Sequence, residues 1–180
     1  MKKLLYLSMF LWFVLTGCTQ EKKEFTVLQW NIWQEGTMVP GGYEAIVDEI
    51  IRLRPDFVTL SEVRNYNNTN FTARLTRSLK EKGETYYSFY TYDTGLLSRY
   101  PITNSLTVFP ENGDHGSIYR LTTDMNGKKM AVYTSHLDYL DDAYYNVRGY
   151  DGSTWEEIPI PTTVEEVLER NVASQRDDAI

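Results

Sequence analysis

Two short strand patterns joined by one helix pattern, all within residues 25–62, constrain this chain more than any other feature. Phe25-Thr-Val-Leu-Gln-Trp30 alternates apolar and polar side chains and stops at Asn31. Pro55-Asp-Phe-Val-Thr-Leu60 runs up to Ser61-Glu62, and Tyr43 to Leu53 between them has helical spacing. Strand-helix-strand order predicts neighbouring parallel strands linked by a right-handed crossover. Their C-terminal ends then lie side by side, bringing the amide of Asn31 and the carboxylate of Glu62 within reach of one ion. Oxygen-only ligation suits Mg²⁺ or Mn²⁺ better than zinc.

The front of the chain carries an address. Lys2 and Lys3 precede an apolar run, Leu4 to Leu15, broken only by Ser8. The run is about half of the roughly 20 residues needed to span a bilayer, so it reads as a signal-peptide core over residues 1–17. Leu15-Thr-Gly-Cys18 resembles the lipobox of bacterial lipoproteins, in which the cysteine is acylated. An ordinary secretory peptide with an incidental cysteine is the plainer alternative. Lipidation at Cys18 implies a secreted protein held in the bacterial cell envelope by a membrane anchor, with residues 18–24 as a polar tether. Cys18 is the only cysteine, so the folded part has no internal disulfide.

Loss of residues 1–17 removes two lysines and makes the formal charge two units more negative than the full chain's −7. Such an acidic chain is a poor non-specific binder of long nucleic acids, where cationic contacts to phosphate dominate affinity. A small molecule or lipid headgroup is the better match, and nothing points to a protein partner. An aromatic content of 14% argues against disorder. Beyond Glu62 the pattern continues as mixed α/β, over about one domain's length. A polar loop spans 65–70, and a helix is expected from Phe71 to Lys82 with Gly83 as its stop. Strands are expected at Tyr86–Tyr92, Gly95–Ser98 and from Ile102 to Phe109. Ser117–Met125 and Lys128–Ser135 flank Asn126-Gly127, a strong hairpin signal. Residues 138–161 are irregular and carry Tyr144, Tyr145, Tyr150 and Trp155. A last helix pattern begins near Thr163 and shows no stop signal through Ala173 to Ile180, as expected of a chain cut within a helix.

Four stretches, in order, resemble the endonuclease/exonuclease/phosphatase superfamily: Val27-Leu-Gln-Trp-Asn-Ile32, Pro55-Asp-Phe-Val-Thr-Leu-Ser-Glu-Val63, Gly95-Leu-Leu-Ser-Arg-Tyr-Pro-Ile102 and Val132-Tyr-Thr-Ser-His-Leu-Asp138. The resemblance implies an α/β (α+β) fold, a four-layer α/β/β/α sandwich of two mixed sheets, with residues 25–180 as its N-terminal part. It implies a divalent-metal-dependent phosphoesterase, hydrolysing phosphodiesters or phosphomonoesters. Glu62 then corresponds to the direct metal ligand and Asn31 to a residue of the same metal site. His136 donates to a non-bridging oxygen of the scissile phosphate, where charge grows in the transition state. Arg120, on the strand before the hairpin, is a candidate substrate-binding residue, with a structural ion pair as the equal alternative.

Taken singly, an asparagine after a strand is a turn former, a glutamate at a strand end is solvated, and a lone histidine is structural. Their joint occurrence in the family's order reverses those readings; His115 has no such support. Two later family motifs, Gly-Asp-x-Asn and Ser-Asp-His, are absent: no Asp-x-Asn and no histidine follows His136. In the family these position the attacking water and supply the general base. The 180 residues alone are therefore expected to fold poorly and to hydrolyse little, as a truncated fragment. The rival classes are a non-catalytic surface lipoprotein that uses its aromatic loop to bind a glycan or lipid, and a decayed gene product.

Overall fold

The computed structural model describes residues 24–109, 116–137 and 143–170. Cys18, His115, Asp138 and the end of the last helix pattern lie outside the described residues.

Among the described residues seven strands form two sheets. The first has the order β1 (Val27–Asn31), β2 (Phe57–Val63), β4 (Asp93–Ser98), β3 (Tyr87–Ser88). β1 and β2 are parallel, as the strand-helix-strand order predicts, and β4 is antiparallel to both of its neighbours. The second sheet is the antiparallel set β5 (Ile102–Phe109), β6 (Gly116–Met125), β7 (Lys128–Leu137). Asn126 and Gly127 turn the β6–β7 hairpin with φ of 55° and 82°, the left-handed pair that such a tight turn requires.

Helix α1 (Gly42–Leu53) and helix α2 (Phe71–Glu81) cover the outer face of the first sheet. Their apolar stripes, Ile46, Val47 and Ile50 from α1 and Phe71, Leu75 and Leu79 from α2, pack on Val58, Leu60, Val63 and Leu97. Asn70 caps α2 by accepting the Ala73 N–H at 3.1 Å. Side-chain alternation along β2 sends Phe57 the other way, into a second core with Leu96, Tyr119, Leu121 and Met125 between the two sheets. The result is an α+β sandwich in which β2 and β4 are covered on both sides. Its outermost face, on the second sheet, leaves Leu106, Val108 and Tyr133 about half exposed.

The Tyr86–Tyr92 pattern contracts to the two residues of β3. Side chains take the backbone groups that a longer ladder would use: Thr72 donates to Phe89 O, Asn65 to Thr91 O, and the Tyr119 hydroxyl accepts the Tyr92 N–H. The irregular segment contains a short helix α3 (Ala143–Asn146) and a bridge between Tyr150 and Glu157. Helix α4 (Val164–Arg170) follows where the pattern places it.

Candidate phosphate and metal site

β1 and β2 end at the same edge of the sheet, with Asn31 opposite Ser61 in register. One residue further, β2 bulges: the pairing with β4 shifts between Ser61 and Val63, leaving Glu62 as the extra residue. Its φ of 68° is a left-handed value that a side-chain-bearing residue adopts at a cost. The bulge turns the Glu62 carboxylate to the sheet edge instead of into either core. There Oε1 accepts the Asn31 amide Nδ2 at 2.7 Å and Oε2 accepts the Gln34 N–H at 2.8 Å.

Between the two candidates the chain makes a left-handed turn. Trp33, Gln34, Glu35 and Gly36 have φ of 46°, 54°, 61° and 74°, and Gly36 N–H closes the turn on Ile32 O at 2.7 Å. For a non-glycine residue this conformation costs roughly 1–2 kcal/mol. The site itself holds the turn in place. Asn31 Oδ1 accepts Trp33 N–H at 2.9 Å, and the Glu62 backbone carbonyl accepts Glu35 N–H at 3.2 Å. Glu35, 3% exposed, accepts the N–H groups of Arg64 and Asn65 on Oε1, at 3.0 and 2.6 Å. Burial raises the Glu35 pKa above the usual glutamate value, partly opposed by those N–H groups and by Arg74.

His136 comes from the second sheet. It shares the inward-facing side of β7 with Thr134, opposite Ser117 of β6. Its Nδ1 lies 2.9 and 3.0 Å from the two oxygens of Asp93, the first residue of β4, whose φ is 62°. Asp93 is 1% exposed and also accepts Arg64 Nη1 at 2.8 Å. The Asp93 hydrogen bond is the main cause of a raised His136 pKa, with the charges of Asp93 and Glu62 adding and burial and Arg64 opposing. The shift favours the imidazolium relative to a free histidine, and the geometry commits Nδ1 to Asp93 and leaves Nε2 for a ligand.

A cleft of about 310 Å³ gathers these groups: Trp33, Gln34, Glu62, Arg64 and His136 line it. The three residues proposed to act together from sequence, Asn31, Glu62 and His136, thus meet at one sheet edge. Arg120 does not join them. It alternates with the inward-facing Tyr119 and Leu121, so strand parity puts it on the outer face, where Nη2 reaches Asn104 Oδ1 at 3.3 Å. Tyr145 meets both Tyr144 and Trp155 edge to face.

Two participants, Asp93 and Arg64, were not singled out in the sequence. Each flanks a recognised stretch, Arg64 directly after Glu62-Val63 and Asp93 two residues before Gly95, but only the cross-sheet packing shows their purpose. The donor set fits a hard divalent cation. Glu62 keeps one lone pair on each oxygen beyond its two hydrogen bonds, and Mg²⁺ is commonly held by one or two carboxylates with water and phosphate completing its shell. Asn31 turns its nitrogen to Glu62 and its oxygen to Trp33, so in this arrangement it fixes the carboxylate. Among the described residues no group of three His, Cys, Asp or Glu could hold a metal ion by itself, so water and phosphate would have to complete the shell of a cation at Glu62.

The model of the endonuclease/exonuclease/phosphatase family matches residues 28–175. Among solved structures, a humanized D. rerio TDP2 carrying 14 mutations aligns with a TM-score of 0.50 at 18% identity, over 69% of this chain and 52% of that one. ANGEL2, a 2',3'-cyclic phosphatase solved with adenosine-2',3'-vanadate, aligns with a TM-score of 0.48 at 17% identity, over 66% of this chain and 43% of that one. The chain spans about half the length of these solved proteins. No curated protein matches it significantly.

Proposed function

This chain belongs to the endonuclease/exonuclease/phosphatase family, and from that premise we propose that its cleft binds the phosphate of a phosphoester together with Mg²⁺ or Mn²⁺, as the metal- and phosphate-holding part of a hydrolase site. The observation that carries the reading is the convergence of Glu62, from the first sheet, and His136, from the second, on one cleft that also contains Arg64.

Glu62 holds the cation and Asn31 keeps the carboxylate turned towards it. When bound, such an ion polarises the phosphoryl group and stabilises the leaving oxygen. His136 donates from Nε2 to a non-bridging phosphate oxygen, while Asp93 fixes its orientation and favours its charged form. Arg64 supplies further positive charge at the cleft, and its Asp93 contact restrains it. The family's motifs for activating water have no counterpart after His136, so turnover by these 180 residues alone is expected to be two to four orders of magnitude below that of a site with a general base. The acidic charge favours a small phosphoester or a headgroup over a long nucleic acid.

Acylation at Cys18 would place the protein in the bacterial envelope. β1 runs from Val27 to Asn31, so the described chain begins at the end of the strand remote from the cleft. Calorimetric titration of Mg²⁺ and inorganic phosphate tests the reading: phosphate binding should require the cation and disappear in Glu62→Gln. Phosphate affinity indifferent to chelator would instead favour a non-catalytic module.

A further inference from the structure

A second cleft, about 370 Å³, opens beside the first and shares Gln34 and Arg64 with it. Its other wall is the loop after β2, with Tyr66, Asn67 and Asn68, closed by Tyr92. Among the described residues no aliphatic side chain and no carboxylate lines it. Such a lining gives an acyl or alkyl group only the rings of Tyr66 and Tyr92 to pack against. Amides and phenols each offer a donor and an acceptor, the combination that a row of hydroxyl groups can satisfy. The volume lies near the small end of ligand pockets, suited to one ring-sized group.

The loop is built so that two of its amides remain available. Asn65 is used internally: its oxygen accepts Phe71 N–H at 3.0 Å, its nitrogen donates to Thr91 O at 2.9 Å, and its own N–H goes to Glu35. Tyr66 donates to Gln34 Oε1 at 2.5 Å, linking the loop to the left-handed turn of the first cleft. Asn67 and Asn68 then follow at φ of 57° and 58°, where glycine is the least strained choice. Both instead carry side chains, both are exposed, and among the described residues neither side chain is engaged in a hydrogen bond within the protein.

We propose that this second cleft holds a hydroxyl-rich group, a monosaccharide or polyol, esterified to the phosphate bound at Glu62 and His136, with Asn67 and Asn68 as its specificity-determining residues. The proposal rests on the reading of the first cleft as a phosphate site, and it names the substrate class of that site. Gln34 and Arg64 stand where the two halves of such a substrate meet.

The test is calorimetry on the full chain in Mg²⁺ with inorganic phosphate, ethyl phosphate, glycerol 3-phosphate and glucose 1-phosphate. At least one hydroxylated ester should bind about tenfold tighter than ethyl phosphate, the worth of one or two net hydrogen bonds. Preference for glucose 1-phosphate assigns a monosaccharide; equal gains for both assign a polyol. The double variant Asn67→Gly, Asn68→Gly keeps the positive φ without strain and should remove the gain while inorganic phosphate still binds. Equal affinity for ethyl phosphate and both hydroxylated esters, or a gain that survives the double variant, overturns the proposal. Failure of inorganic phosphate to bind overturns the first-cleft reading, and this proposal with it.

Discussion

His136 Nδ1 sits 2.9 Å from Asp93 Oδ2, a contact between β7 of one sheet and β4 of the other. The pair therefore exists only when the two sheets are packed face to face, as the inter-sheet core of Phe57, Leu96, Tyr119 and Leu121 holds them.

Asp93→Asn should lower the His136 pKa towards the ordinary value of 6.5, because the hydrogen bond to an ionised partner is the main cause of its elevation. The histidine ring signals followed by NMR across pH report this directly. The same change weakens the buried partner of Arg64, so a stability loss of about 1–3 kcal/mol is expected in urea unfolding.

The sign of the pH dependence follows from the raised pKa. Stabilisation from the His136–Asp93 pair is fully present below the unfolded histidine value and is lost as pH rises through the higher folded value. Phosphate affinity should fall over the same window, as the imidazolium gives up its proton. The difference in urea midpoint between the parent chain and Asp93→Asn, measured from pH 6 upwards, should shrink with increasing pH.

Glu35 separates a charge effect from a hydrogen-bond effect. Glu35→Gln keeps an oxygen for the N–H groups of Arg64 and Asn65 and removes a charge that burial disfavours, so stability should change by less than about 1 kcal/mol. Glu35→Ala leaves two half-buried N–H groups without this partner and should cost about 1–3 kcal/mol. Thermal or urea unfolding of both variants distinguishes the two effects.

Gly42 is pressed against the left-handed turn. A Cβ there would stand 2.1 Å from Gly36 O, a backbone atom with no freedom to retreat. Gly42→Ala should displace the turn, releasing the Gln34 N–H from Glu62, and lower Mg²⁺ affinity by tenfold or more without any change to a side chain of the cleft. Titration of the variant with Mg²⁺ checks this.

Much of this arrangement was legible in the sequence because its signals are local. The alternating run before Asn31, the helical spacing of α1, the Asn126-Gly127 turn and the positions of Asn31 and Glu62 at strand ends all depend on neighbours a few residues away. The partners of His136 were not legible. Asp93 reaches it across the gap between two sheets, and the bulge at Glu62 depends on register with β4, which no local pattern encodes. Arg120 was open to either a phosphate or a structural role, and strand parity places it on the face away from the cleft, beside Asn104. The shortened β3 has the same origin, since Thr72, Asn65 and Tyr119 take over backbone groups from elsewhere in the chain.

The central claim, that an ion held by Glu62 faces His136, is open to one direct measurement. The chain has two histidines, so its imidazole NMR signals are easily assigned. Sub-stoichiometric Mn²⁺ should broaden the ring signals of His136 strongly, and Glu62→Gln should abolish the effect. His136 signals that stay sharp while Mn²⁺ binds, or broaden equally in Glu62→Gln, would contradict the account.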